Sequence, residues 1–169
     1  VSRTIVPVVN VPLSSGDRST GIGDIQEQIF LTSANPGKVI WGFGPIFSFP
    51  TATNDALTTG QFALGVDFVV LTMPGKWVIG AVTNQLWRIG GSDNTTAINA
   101  FFIQPFINYN FHRGWSISTS PNITADWSAP SGQAWTVPLG LGVSKVTGIG
   151  KQPVNISLQY YHNVVRPDA

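Results

Sequence analysis

The sequence contains no cysteine and few charged residues, and both absences exclude classes of protein. Without cysteine, the 169-residue chain has no disulfide framework, thiolate nucleophile or cysteine-ligated zinc site. Only 10% of the residues are Asp, Glu, Lys or Arg, against roughly 25% in an ordinary soluble domain. The formal net charge is +1 and no cluster of Lys and Arg occurs. Binding of nucleic acid through its phosphates is therefore not expected.

Long apolar runs are also missing. No stretch approaches the roughly 18 uninterrupted apolar residues that indicate a transmembrane helix. The longest candidate, residues 97–111, is interrupted by Asn99, Gln104 and Asn108. The chain opens directly in strand-like sequence without a secretory signal peptide. We interpret residues 1–169 as one domain, either a mature product or an internal fragment of a longer chain.

The strongest positive signal is a period-2 alternation of apolar and polar residues, which is typical of β-strands. In segment 115–127, one parity is mostly apolar with Trp115 and Trp127 at its ends, and the other parity is polar throughout. Such segments are separated by Gly, Pro, Asn, Asp and Ser. The pattern predicts an all-β protein with about nine strands, near 3–13, 21–32, 38–50, 60–73, 77–89, 97–111, 115–127, 135–146 and 154–166.

The length of these segments favours a membrane. They span about 10 to 14 residues, whereas a tilted strand crosses a bilayer in roughly 9–11 residues and a soluble strand averages 5–6. Their polar faces lack the Lys and Glu of a solvated exterior. We therefore expect an antiparallel up-and-down transmembrane β-barrel, the alternative being a soluble sandwich whose apolar face is its core. The expected aromatic girdle consists of Trp77, Trp87, Tyr109, Trp115, Trp127 and Trp135.

The connections between predicted strands broadly alternate in length, as in barrels with short periplasmic turns and longer external loops. We assign 74–76 and 112–114 to the periplasm, and 14–20 and 51–59 to the exterior. The predicted connection 147–153 is an exception to the alternation. Prolines inside predicted strands lack a ladder donor and predict bulges or bends, at Pro7, Pro45, Pro105, Pro121 and Pro138.

Several strings together resemble one family, the bacterial outer-membrane proteins of the meta-pathway phenol-degradation (MetA-type) group. The resemblance covers essentially the whole chain through SRTIVPVV (2–9), IWGFGPIFSFPTAT (40–53), WVIGAVTNQLW (77–87), FFIQPFINYNF (101–111) and GKQPVNISLQYYHNVVRP (150–167), with GIGDI (21–25), FALG (62–65) and WTVPLGLGVSKV (135–146) between them. It implies a transporter-like barrel, distantly akin to long-chain fatty-acid transporters. It also implies about twelve strands, of which this chain would hold the third to the eleventh and lack the first and last.

Charged residues within the predicted strands are few, and parity divides them. Glu27 and Lys145 have outward parity, which predicts a position near a membrane interface or a bulge that shifts the register. The inward set either lines a pore or packs by pairing across a filled lumen. The lumen-facing candidates, with polar and aromatic neighbours, are Asp24, Asp67, Arg88, Phe102, Gln104, Phe106, Asn122 and Asp126.

Catalysis is not expected, and no cofactor or metal site is predicted. His112 falls in a predicted turn, and His162 has outward parity while Ser144 on the neighbouring strand points inward, which is unsuited to a Ser–His pair. We expect passive transport of small solutes, hydrophobic or aromatic ones among them, in the outer membrane of a Gram-negative bacterium. The expected partners are outer-membrane lipid, the solute and the barrel-assembly machinery. The alternatives are a structural or solute-binding barrel with a plugged lumen and a soluble lipocalin-like binder.

Overall fold

The computed structural model describes residues 1–13, 16–150 and 152–167, and it is an all-β structure of antiparallel strands. Two short 3-10 turns, Asp55–Leu57 and His112–Gly114, lie in connections. The strands, numbered β1 to β13 in chain order, are Ser2–Ile5, Val8–Pro12, Arg18–Ile22, Ile25–Ile29, Leu31–Thr32, Val39–Phe49, Gln61–Thr72, Trp77–Gly91, Asn99–Asn110, Trp115–Thr119, Ile123–Asp126, Trp135–Ile149 and Gln152–Val165.

Eleven of these strands form one sheet in which most neighbours in space are also neighbours in sequence. From one edge to the other, β1 pairs with β4, which pairs with β6, and β7, β8 and β9 follow in order. The short strands β10 and β11 follow one another in the same position of the sheet, and each pairs with β9 on one side and β12 on the other. β13 pairs with β12 at the far edge. β5 continues the line of β4 along β6. β2 and β3 form a separate two-stranded hairpin.

Each predicted strand coincides with one or more observed strands, but three of the predictions are wrong because the observed strand is broken. The predicted strand 3–13 divides at Pro7, where β1 ends and the chain leaves for the β2–β3 hairpin. The predicted strand 21–32 divides into β3, β4 and β5, and 115–127 divides at Pro121. Pro7 and Pro121 fall in these breaks because proline cannot donate to a ladder.

The remaining in-strand prolines lie in continuous strands. Pro45 pairs with Val66, and Pro105 pairs with Ala81, without any shift in register. A register irregularity between Val137 and Pro138 confirms the predicted bulge at that proline.

The connections divide the sheet into two ends. The turn end carries the connections 33–38, 73–76 and 111–114, and the loop end carries the longer connections 50–60 and 92–98 together with 127–134. The predicted connection 147–153 is too long, because the β12–β13 ladder continues to the pair Ile149 and Gln152. The connection between β12 and β13 is therefore short, and it follows the alternation of connection lengths instead of being an exception to it. Residues 14, 15 and 151 of the predicted connections 14–20 and 147–153 lie outside the described residues.

The two faces of the sheet have opposite character. The inner face carries most of the buried polar side chains, among them Gln28, Ser48, Gln61, Asn84 and Ser116. The outer face is exposed and carries the large apolar ones, which on β6 and β7 include Trp41, Phe43, Phe62, Leu64, Val66 and Phe68. The apolar parity is therefore not the core of this fold.

Glycines on the inner face permit neighbouring backbones to approach closely. A Cβ at Gly44 would overlap the carbonyl oxygen of Ile29, and one at Gly65 would overlap the carbonyl oxygen of Gln85. Glycine at such positions permits the close backbone approach and tight bending that sheets use at barrel corners. Among the described residues, this face holds a small buried apolar cluster of Ile46, Ala63 and Leu86, with Ile98 packed against it.

Candidate functional site: the inner face and its cavity

The candidate site is a cavity of about 850 Å³ on the inner face. Strands β1 and β4 supply one side of it, and β8, β9 and β11 supply the other. Connection 127–134, at the loop end, contributes Ala129 and Pro130 to the lining. Ligand cavities for small molecules are typically about 300–1,000 Å³, so the space suits one small organic solute.

The lining combines an apolar surface with a few polar groups. Ile5, Leu86 and Phe102 supply apolar surface, and Asn84 and Thr124 lie between them on β8 and β11. Such a lining accommodates an apolar or aromatic body, while the polar groups can orient one polar substituent.

The two charged residues of the cavity come from different strands. Arg3 on β1 donates from Nη1 to Oε1 of Gln28 at 3.3 Å, and Gln28 is almost fully buried. Asp126 ends β11, and its carboxylate accepts from the backbone N–H of Ser128 at 2.9 Å. The cavity thus offers a cation and a carboxylate, each already held by a neighbour.

Asp67 is the most deeply buried of the predicted lumen-facing charges, at 3% exposure. It lies on β7 between Gly44 of β6 and Asn84 of β8. Neither of its carboxylate oxygens has a hydrogen-bond partner among the described residues. Asp67 does not line the cavity, although its strand partner Asn84 does.

Arg88 and Asp24 organise loops at the loop end. Arg88 forms an ion pair with Asp93 and donates to the carbonyl of Gly91 at 3.2 Å. Asp24 accepts from the Thr58 hydroxyl at 3.0 Å and from the backbone N–H groups of Ala52 and Thr59. Both predicted lumen charges therefore hold connections 50–60 and 92–98 close to the sheet.

The predicted polar and aromatic lumen residues of β9 share one parity. Phe102 pairs with Asn84 and lines the cavity, and Gln104 donates to the Asn122 side chain at 2.7 Å. The Phe106 ring lies over Gly80 of β8, where a Cβ would collide with it.

The predicted girdle residues form two groups on the outer face. At the turn end, the Trp77 and Tyr109 rings lie 4.7 Å apart between centroids, and Trp115 begins β10 nearby. At the loop end, the Trp127 and Trp135 rings lie 5.4 Å apart, and Trp87 is exposed near the end of β8.

The outward charges occupy the positions that their parity indicates. Lys145 pairs with Trp115 at the turn end, and its Nζ lies 5.0 Å from the centroid of the Trp115 ring. Glu27 pairs with Phe47 and accepts from the Thr4 hydroxyl at 2.5 Å. Lys145 is therefore beside a residue of the predicted girdle, and its position near a membrane interface stays a prediction.

Sequence reasoning missed Gln61 as a site residue. Its side chain is fully buried, and its Nε2 lies within 3.3 Å of acceptors on Ser92, Thr95 and Thr96. Its Oε1 accepts from the backbone N–H of Ile98 at 2.9 Å. Gln61 thus fixes connection 92–98 over the inner face. The available signal in the sequence was a polar residue at the start of a predicted strand, on the parity that faces inward.

The residues considered for catalysis lie apart. The Ser144 hydroxyl is buried against that of Ser116, at 2.6 Å between oxygens. His162 pairs with Leu139, which is exposed on the outer face. No helix in the described ranges is long and apolar enough to span a membrane. Nor do the described residues include three or more His, Cys, Asp or Glu side chains grouped to bind a metal.

Comparison of the chain with protein-family models, with curated proteins and with solved structures returns no match. The MetA-type resemblance therefore stays a prediction.

Proposed function

We propose that the chain forms the wall of an outer-membrane β-barrel whose inner cavity binds and passes small solutes. The observation that carries the proposal is the distribution of side chains between the two faces of the sheet. Many large apolar residues are exposed on one face, and most of the buried polar residues lie on the other. This is the apolar-out, polar-in arrangement of a barrel wall in lipid.

The energetics of the outer face support a lipid environment. Covering one Val, Leu, Ile or Phe side chain is worth about 1.5–3 kcal/mol relative to leaving it in water. The exposed outer face carries many such side chains, whereas exposed apolar patches on soluble monomers are rarely larger than a few hundred Å². Acyl chains would cover this face without any directional contact.

The spacing of the girdle residues agrees with the thickness of a bilayer. Trp77 and Trp87 lie ten residues apart on β8. At about 3.4 Å per residue and a tilt of about 45°, they stand roughly 24 Å apart along the membrane normal. The apolar band of outer-membrane barrels is about 25 Å tall. Each aromatic group would then lie at one membrane interface.

The solute class follows from the cavity lining. Ile5, Leu86 and Phe102 favour an apolar or aromatic body, and Arg3 and Thr124 offer hydrogen bonds to a single hydroxyl or carbonyl group. The resemblance to the MetA-type family supports the same expectation, a small aromatic or hydrophobic solute.

Vesicle insertion followed by conductance measurement tests this proposal. The chain is refolded with phosphatidylcholine vesicles, washed with urea and floated on a density gradient. We expect it to float with the vesicles and, in planar bilayers, to give current steps that phenol reduces. A chain that stays in the washed aqueous fraction would rule out the barrel in favour of a soluble binder.

A plugged binding barrel is the second candidate, and the connection 92–98 favours it. Ile98 from this connection packs against Ile46, Ala63 and Leu86 on the inner face, and Gln61 holds it there. A protein that floats with vesicles, binds phenol and conducts no current would support the plugged barrel over the open one.

A further inference from the structure

The two ends of the sheet differ in charge: the turn-end connections carry cations without carboxylates, whereas the loop end carries both signs. At the turn end, each of the connections 33–38, 73–76 and 111–114 carries a cation, and none carries Asp or Glu. At the loop end, the connections carry Asp55 and Asp93, and β11 ends in Asp126. Among the described residues, the exposed cations of the turn end are Lys38, Lys76, Arg113 and Lys145.

An apolar groove of about 320 Å³ opens on the outer face beside these cations. Its walls come from Trp77 of β8, Ile107 and Tyr109 of β9, Ile117 of β10 and Leu141 of β12. The groove belongs to the outer face and is separate from the inner cavity.

Cations stand at the turn-end limit of this groove. Lys76 directly precedes Trp77, and its Nζ donates to the Nε2 of His112 at 3.2 Å. Lys145 lies over the ring of Trp115, which is two residues, or about 7 Å along the strand, from Ile117 of the groove. The apolar groove on the outer face thus ends at a group of basic and aromatic residues at the turn end.

We propose that this groove and its cations form a binding site for an anionic glycerophospholipid. One acyl chain occupies the groove between Trp77 and Leu141. The phosphate lies at the turn end, where Lys76, Arg113 and Lys145 supply the opposite charge. The site rests on the proposed membrane location and adds a lipid preference to it.

Charge complementarity selects the anionic lipid. Basic residues near an anionic membrane surface contribute about 1 kcal/mol each, and no carboxylate lies in the turn-end connections to oppose them. The tryptophan and tyrosine rings suit the headgroup level, where amphipathic rings accumulate. The loop end carries carboxylates beside its cations, so we assign the preference to the leaflet at the turn end.

Electron spin resonance of spin-labelled lipids measures this preference directly. The chain is reconstituted in phosphatidylcholine vesicles with a trace of phosphatidylglycerol or phosphatidylcholine labelled on carbon 14 of one acyl chain. The motionally restricted fraction gives the relative association constant of the two labels. Since a single basic residue near the surface contributes about 1 kcal/mol, we expect phosphatidylglycerol to associate at least about fivefold more strongly than phosphatidylcholine.

Matched variants assign the preference to this site. Lys76→Gln/Lys145→Gln should lower the ratio severalfold, with Arg113 still in place. Arg18→Gln/Arg166→Gln removes the same charge at the loop end and should leave the ratio unchanged. Leu141→Trp fills the groove and should lower the restricted fraction of phosphatidylglycerol while the cations remain.

Each other outcome overturns a defined part of the inference. An unchanged ratio in the double lysine variant would exclude the headgroup site, and an unchanged restricted fraction in Leu141→Trp would exclude the acyl groove. A chain that enters vesicles without lipid preference contradicts only this inference. A chain that does not enter them contradicts the proposed barrel instead.

Discussion

Single buried polar residues carry much of the organisation at the loop end, and Gln61 is the clearest of them. Its amide group satisfies backbone carbonyls of connection 92–98 and accepts the N–H of Ile98. No short motif marks this glutamine in the sequence, because its role depends on a connection about thirty residues away. Asp67, in contrast, was identified by parity, since rarity of charge within a strand is visible locally.

Replacing Gln61 with methionine should destabilise the fold by about 1–3 kcal/mol, because three carbonyls and one N–H in partly buried hydrogen bonds lose their partner. Guanidinium unfolding in vesicles, followed by tryptophan fluorescence, measures the change. Gln152→Met, at the exposed start of β13, is the control and should stay within about 0.5 kcal/mol of the parent. Equal stability of the two variants would show that connection 92–98 does not depend on Gln61.

Glycine positions on the inner face permit a second test at the residue scale. Gly65→Ala should cost about 1–3 kcal/mol, because its new methyl group meets the backbone of Gln85. Gly90→Ala is the matched control, since a Cβ at Gly90 has open space around it. Urea unfolding of both variants separates them, and a Gly65→Ala protein as stable as Gly90→Ala would contradict the close backbone approach.

At the scale of elements, the alternation of apolar and polar residues predicted where strands lie in the sequence. It did not predict where three of them are interrupted. Strands β6 to β9 agree with the prediction within a few residues, because each runs unbroken against two partners. The N-terminal segments failed because the β2–β3 hairpin leaves the main sheet, and alternation alone carries no information about which strand is its partner. The turn after β12 was missed because Gly148 and Pro153 resemble loop residues although they pair with each other.

A side chain from another strand forms a hydrogen bond with the backbone at the break between β10 and β11. The backbone N–H of Ser120 donates to the hydroxyl of Tyr161 on β13 at 2.7 Å, across the gap beside Pro121. The tyrosine hydroxyl therefore takes the place of a ladder carbonyl.

Tyr161→Phe should destabilise the sheet by about 1–2 kcal/mol, because the Ser120 N–H loses its acceptor. Hydrogen exchange at Ser120 should accelerate in the same variant. Tyr160→Phe is the control, since Tyr160 is 74% exposed on the outer face. Unchanged exchange at Ser120 in Tyr161→Phe would show that another group accepts this bond.

At the scale of the whole molecule, the inverted distribution of side chains distinguishes the proposed barrel from a soluble sandwich. Val66 lies in the middle of β7 and Val39 at the turn-end start of β6, and they are 58% and 51% exposed. In water the two positions would respond alike to a charge. In a bilayer only the first lies near the midplane.

Val66→Lys should therefore lower the stability of the chain in vesicles by about 2–4 kcal/mol, and Val39→Lys by about 0–1 kcal/mol. Guanidinium titration of vesicle-bound protein measures both. Equal effects at the two positions would contradict a membrane-embedded outer face and favour an aqueous one.

The sequential pairing of β6 to β9 and of β12 with β13 also has a kinetic consequence. Contacts between sequence neighbours require closure of short loops only, which favours fast formation. The sheet can therefore form by adding one hairpin after another, with unpaired backbone groups at the growing edge strand. The union of β1 with β4 departs from this growth, since that ladder closes across the intervening β2–β3 hairpin.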